Sequence, residues 1–239
     1  MLFHNPSAYK KYILYYSNKQ LHLSRHLFFY TLIFNRTGDS VRTGNPDITH
    51  NKILKMNLFV SLKEALTEGL IGQIAAQNDE KPEKIQKAFD ALGASIVGGL
   101  IKRVTTESGM KLVFNQVQKI EFEPQQLSKI FKNQVELDTL KVVGEKDLNT
   151  VLPGLKSSVS SMVAKYAGIR NSLASTLCGI TVAIVMAVLK RTGAEKQLDP
   201  ESLAAYLGDQ RDGLLNTVPD INDKLIESIG IQYLLQNFV

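Results

Sequence analysis

Ile85-Gln-Lys-Ala-Phe-Asp-Ala-Leu-Gly-Ala-Ser-Ile-Val-Gly-Gly-Leu-Ile-Lys-Arg103 and, 88 residues further on, Leu173-Ala-Ser-Thr-Leu-Cys-Gly-Ile-Thr-Val-Ala-Ile-Val-Met-Ala-Val-Leu-Lys-Arg191 decide the fold class of this chain. Each begins with apolar residues at helical three-four spacing, becomes apolar nearly all round, and ends on Lys-Arg. A helix apolar on every face belongs in the middle of a protein. Extended back to Ile71 and Val159, the two segments superimpose without a gap as residues 71–103 and 159–191. They are identical only at Ala76, Ile96, Val97, Lys102 and Arg103 and their counterparts, so the shared apolar period carries the comparison. It predicts an all-α fold, a compact bundle of short helices built from two pseudo-repeated units around two central apolar helices. Three glycines inside the first of these, Gly93, Gly98 and Gly99, each cost about 1 kcal/mol relative to alanine, which predicts close approach of another helix or a kink there.

Outward from these segments the pattern stays helical. Asn57 is placed to cap a helix carrying Leu58, Phe59, Leu62 and Leu66, with Gly69 marking a break before Leu70, Ile71 and Ile74. Pro82 suits a first helical turn, where its missing N–H costs nothing. Thr105 and Thr106 precede Met110, Val113, Phe114, Val117 and Ile120, and Pro124 opens a short helix. From Val135 to Leu155 the regularity fades around Gly144, Pro153 and Gly154, and this stretch reads as the connection between the halves 56–134 and 156–239. Asp199 and Pro200 start a helix with Leu203 and Leu207, and three short closing helices follow through Leu235. No segment shows a sustained period of two, so no sheet is expected.

The 239 residues, 44% hydrophobic, suffice for a sizeable core. The net charge of +5 suggests an anionic partner until it is located. Residues 1–55 hold eight Lys and Arg against two Asp, leaving twenty basic and twenty-one acidic residues after them. The same segment holds every histidine, His4, His22, His26 and His50, and five of the eight tyrosines. We read it as a basic, disordered or non-native N-terminal extension, with Met56 as the native start and residues 56–239 as the domain. Its other reading is a basic tail for an anionic surface. The apolar run Leu27 to Phe34 is far shorter than the ~20 residues of a membrane-spanning helix. Leu177 to Leu189, the most apolar stretch of all, rises only about 20 Å as a helix and reads as core. No transmembrane span and no specific nucleic acid are expected.

Past Met56 there is no histidine and a single cysteine, Cys178. That excludes Ser-His-Asp and Cys-His nucleophile systems and ordinary zinc sites from the domain. Ser157, Ser158, Ser160 and Ser161 lack a histidine base and read as a helix start or linker. Asp220, Asn222 and Asp223 lack the turn glycine and terminal Glu of a calcium loop. Glu121 with Glu123, and Asp79, Glu80 and Glu83, suit helix ends. Lys102-Arg103 and Lys190-Arg191 suit helix C-termini, with one shared anion-binding patch as the functional alternative. We therefore assign no catalytic, cofactor-binding or metal site and no cofactor.

Four stretches resemble a known family: Met56-Asn-Leu-Phe-Val-Ser-Leu-Lys-Glu-Ala-Leu-Thr, Lys81-Pro-Glu-Lys-Ile-Gln-Lys-Ala-Phe-Asp-Ala, Gly98-Gly-Leu-Ile-Lys, and Leu203-Ala-Ala-Tyr-Leu-Gly-Asp-Gln-Arg-Asp. Over residues 56–220 they look like the bacterial domain of unknown function 937 (DUF937), related to the YidB-like proteins. The resemblance implies an all-helical bacterial protein without assigned activity, sometimes joined to a membrane anchor or a peptidoglycan-binding domain. The family's glycine-rich linker between halves is absent here, and no anchor or appended domain is expected before Val239. The expectation is a non-enzymatic structural or interaction protein with a protein partner, cytoplasmic. The alternative is an apolar-ligand or lipid-binding protein associated with the envelope, holding its ligand between the two central helices beside Gly98 and Gly99.

Overall fold

Asn57 opens the first helix as its spacing predicts: its side-chain oxygen accepts the N–H of Phe59 at 2.9 Å. The structure, a computed structural model, describes residues 57–232, which lie in one compact unit. The readings of residues 1–55, of Met56 as the start, and of Leu234 and Leu235 fall outside the described residues.

Eleven α-helices and no strand are present among the described residues. Helices α1 (Leu58–Ala65) and α2 (Glu68–Asn78) lead into the long α3 (Pro82–Arg103). Then come α4 (Glu107–Gln118), a 3-10 turn (Pro124–Gln126), α5 (Leu127–Ile130), α6 (Gln134–Val151) and α7 (Leu155–Ala167). The longest helix, α8 (Asn171–Lys196), is followed by α9 (Pro200–Gly208), α10 (Arg211–Thr217), a 3-10 turn (Pro219–Ile221) and α11 (Asn222–Ile229).

The two apolar helices occupy the centre and pack on each other. Ile96, Val97 and Leu100 of α3 and Ile184, Val185 and Val188 of α8 are fully buried, within one hydrophobic cluster that runs through the described residues. Helix α7 packs against both, and α10 and α11 cover α3. Caps follow the sequence where the chemistry is local. The Thr106 hydroxyl accepts the N–H of Gly109 at 3.2 Å, and Asp199 accepts the N–H of Ser202 at 2.8 Å with Pro200 behind it.

Several expectations change. The break near Gly69 falls at Leu66 and Thr67, where Thr67 caps α2 and leaves Gly69 inside its first turn. Helix α8 does not stop at Lys190-Arg191 but continues to Lys196, ending on Gln197 in the left-handed conformation at φ 53°. A Lys-Arg pair favours a helix end without enforcing one. At 26 residues α8 is, by length and composition, long and apolar enough to cross a membrane, so the length argument made from its apolar run alone does not hold. In this fold 83% of its most apolar window is buried against protein.

The largest change concerns residues 135–151. In place of a fading connection there is an eighteen-residue helix, α6, and its contact with α8 is the most extensive in the fold. Gly144 and Gly179 make it so: a Cβ added at Gly144 would fall 1.9 Å from the Gly179 carbonyl oxygen. The close approach predicted for Gly98 and Gly99 is instead made by side chains. A Cβ at Gly98 would meet Leu214 and Ile229 at 2.9 and 3.0 Å, and one at Gly99 would meet Leu152 at 3.0 Å.

A candidate binding groove along α6

Of the four large hydrophobic side chains exposed among the described residues, three belong to α6: Val135, Val142 and Val143. Helix α6 therefore has two apolar stripes. Leu140, Leu148 and Val151 are buried in the core, while Val135 and Val142, seven residues apart and so on one face, are 74% and 65% exposed.

The groove beside this helix is built by the chain that precedes it. Helix α4 buries Val113, Gln116 and Val117 and ends at Gln118. Residues 119–123 then cross toward the 3-10 turn, pinned where the Lys190 ammonium donates to the Ile120 carbonyl. Gln126 accepts the N–H of Glu123 at 3.0 Å, and Asn133 accepts the N–H groups of Val135 and Glu136 at 3.0 and 3.4 Å, which sets the start of α6. Between α4, α5 and α6 lies a cavity of about 620 Å³. Ile120, Phe122, Ile130, Leu140 and Val143 give it apolar walls, and Lys119, Lys129, Lys146, Glu121 and Glu136 border it with both signs of charge. It runs along α6 from Glu136 to Asp147, about 16 Å at the helical rise.

Its polar end is the unusual part. Asp147, 2% exposed, accepts a hydrogen bond from Gln116 Nε2 at 2.7 Å through Oδ1, and its Oδ2 has no partner. Burial raises the Asp147 pKa above the usual carboxylate value, opposed by the Gln116 hydrogen bond and by the charges of Lys146 and Lys119. A buried carboxylate oxygen without a partner is costly, and that cost favours the protonated form of Asp147. Neither Asp147 nor Gln116 was singled out in the sequence. The signal was there: Asp147 sits on the Leu140, Gly144, Leu148, Val151 face of α6, and Gln116 on the Val113, Val117 face of α4. A polar residue in each of two apolar stripes marks a buried pair.

The other sequence candidates are not brought together. A cavity of about 520 Å³ at the end of α3 is lined by Lys102 and Arg103, but the Lys102 ammonium already donates to the Ile229 carbonyl at 2.9 Å. Arg191 borders a different pocket, and Lys190 holds Ile120, so the two Lys-Arg pairs form no single patch. Gly99 lines the cavity at the end of α3, away from α8; a pocket that touches both central helices, at Phe89, Gly93 and Thr181, holds about 20 Å³, room for roughly one water. The serine cluster lies in α7, with Ser160 4% exposed. Asn222 donates to the Leu215 carbonyl, and Glu80 pairs with Lys84 at 2.9 Å. Among the described residues no three His, Cys, Asp or Glu side chains are placed to hold a metal ion. Cys178 is fully buried, and burial pushes its thiol up to about 11.

Residues 61–192, which include the whole groove, all of α3 and α8 as far as Thr192, match the family described as "Bacterial protein of unknown function (DUF937)". The chain belongs to this family. The match begins inside α1 and ends inside α8, so the Leu203–Asp212 stretch of the resemblance lies beyond it. No curated protein matches the chain, and no solved structure does. Within this DUF937 member the Leu203–Asp212 stretch holds helices together. Its Gln210, 5% exposed, accepts the buried Leu58 N–H at 2.7 Å and donates to the Tyr206 carbonyl at 3.0 Å. It joins the start of α1 to the junction of α9 and α10.

Proposed function

We propose that this DUF937 domain is a non-enzymatic interaction domain that docks an apolar helical face of a protein partner in the groove along α6. The apolar walls of the groove carry the reading: Ile120, Phe122, Ile130, Leu140 and Val143 line it, and Val143 is left 38% exposed. A groove about 16 Å long accommodates roughly eleven residues of helix. Lysines and glutamates both border it, which suits the mixed charges of a polypeptide better than the single sign of a lipid headgroup. The non-enzymatic reading is supported by the confinement of every histidine to residues 1–50 and by the buried thiol. We read α8 as a core helix on its burial, and the chain as soluble and cytoplasmic. The 88-residue offset is our basis for reading α2–α3 and α7–α8 as copies of one unit, since it carries Glu68–Asn78 onto 156–166 within α7 and Pro82–Arg103 onto 170–191 against α8. The YidB-like relation stays part of the same reading.

A photo-crosslinking amino acid at Val143 of the full chain, which lines the groove, irradiated in the native host, tests the reading. The expected result is one discrete protein adduct that is lost when Phe122→Asp is added and is not formed from the same probe at exposed Ser161. Lipid co-purifying with the protein, with no protein adduct at Val143, would replace this reading with that of an apolar-ligand binder.

A further inference from the structure

The polar side chains that line the cavity of about 520 Å³ at the end of α3 are Lys102, Arg103, Thr105, Thr106, Ser158 and Ser228, with no carboxylate among them. We infer that this cavity binds a phosphate ester with a small apolar body, its phosphoryl oxygens held by Arg103, Lys102 and the first amides of α7. It shares no lining residue with the groove along α6, so the inference stands apart from the docking reading. Neither cation forms an ion pair among the described residues. Helices α3 and α11 end here, and their carbonyls are already met: the Thr105 hydroxyl donates to the Lys102 carbonyl at 2.8 Å, and the Lys102 ammonium to the Ile229 carbonyl at 2.9 Å. That contact takes one of the three N–H groups of an exposed lysine and leaves two. The Arg103 side chain makes no hydrogen bond among the described residues; only its Nε is sealed from solvent, and both Nη groups remain open. Two parallel donors with no counter-ion match two oxygens of a phosphate. Helix α7, thirteen residues long, starts at the same cavity with Gly154 as its cap, so no side chain accepts its first amides, and no acidic residue stands in its first turn. Its positive end adds to the two cations. The cavity is far larger than one phosphate, and Val151, Leu152, Pro153 and Ile229 wall the remainder, which sets the apolar body.

The full chain, isotope-labelled at its amides, is titrated by NMR with phenyl phosphate, inorganic phosphate and phenol. Phenyl phosphate is expected to shift the Lys156 and Ser157 amide signals and to bind about 10-fold more tightly than inorganic phosphate, which lacks the apolar body, or phenol, which lacks the charge. Arg103→Gln should weaken phenyl phosphate by about 10-fold, the worth of a charged hydrogen bond, whereas Arg170→Gln, at an exposed arginine of another pocket, should leave it unchanged. Flotation with phosphatidylcholine vesicles containing phosphatidic acid identifies the source of the phosphate. Flotation that depends on Arg103 assigns the site to a lipid headgroup, and phenyl phosphate binding without flotation assigns it to a soluble ester. Absence of shifts at Lys156 and Ser157, or equal binding of phenyl phosphate and either of the other two probes, overturns the inference, and these comparisons on the natural chain stand even if Arg103→Gln does not fold. A folded Arg103→Gln protein that binds phenyl phosphate as tightly as the natural chain overturns it as well.

Discussion

Replacing Gly144 with alanine separates helix propensity from backbone contact. In an isolated helix the change stabilises by about 1 kcal/mol, because glycine gives up more conformational freedom on folding. The structure reverses the sign. A Cβ at position 144 falls 1.9 Å from the Gly179 carbonyl oxygen and 2.7 Å from its carbon. Carbon and carbonyl oxygen normally come no closer than about 3.3 Å, so α6 and α8 must part by about 1.4 Å. Overpacking of this kind costs about 1–3 kcal/mol, and here it opens the most extensive helix pair of the fold, so we place the net loss near 2–3 kcal/mol. At roughly 2–4 °C per kcal/mol for a domain of this size, Tm should fall by about 5–10 °C, with a matching drop in the urea midpoint followed by far-UV circular dichroism. Gly72→Ala is the control. Nothing lies within 4 Å of a Cβ at Gly72, inside α2, so there the propensity term acts alone and the protein should gain about 0.5–1 kcal/mol. A Gly144→Ala variant as stable as the natural chain would refute the backbone contact, and with it the position of α6.

Gln210→Ala leaves the buried Leu58 N–H without its acceptor and should cost about 1–3 kcal/mol in urea unfolding; an unchanged midpoint would mean that α1 is not tied to α9. Asp147→Asn gives a pH-dependent difference. Because burial raises the folded pKa above the unfolded one, the native carboxyl holds its proton more tightly, and ionising it subtracts stability as pH rises through the folded pKa. The Tm advantage of the variant over the natural protein should therefore be largest at pH 7 and shrink as pH falls toward 4, and an advantage that grows on acidification would contradict the buried carboxylate. Cys178, fully buried with its thiol raised to about 11, should resist a disulfide reagent at pH 8 until denaturant opens the fold; rapid reaction of the native protein would place that part of α8 at the surface.

The sequence by itself determined the helical class, the two central helices, and the caps at Asn57, Thr106 and Asp199, because a 3.6-residue apolar period and a capping side chain act over a few residues of chain. It did not reveal α6, because apolar residues on two faces, Leu140, Leu148 and Val151 inward and Val135 and Val142 outward, cancel the one-sided period by which a helix is recognised. Only the tertiary structure decided what Gly144 does, since a glycine reads as a breaker until the backbone opposite it, Gly179, is in place. The same holds for Asp147 and Gln116, thirty-one residues apart, whose hydrogen bond and whose one free oxygen come into being when α4 and α6 close on the same core.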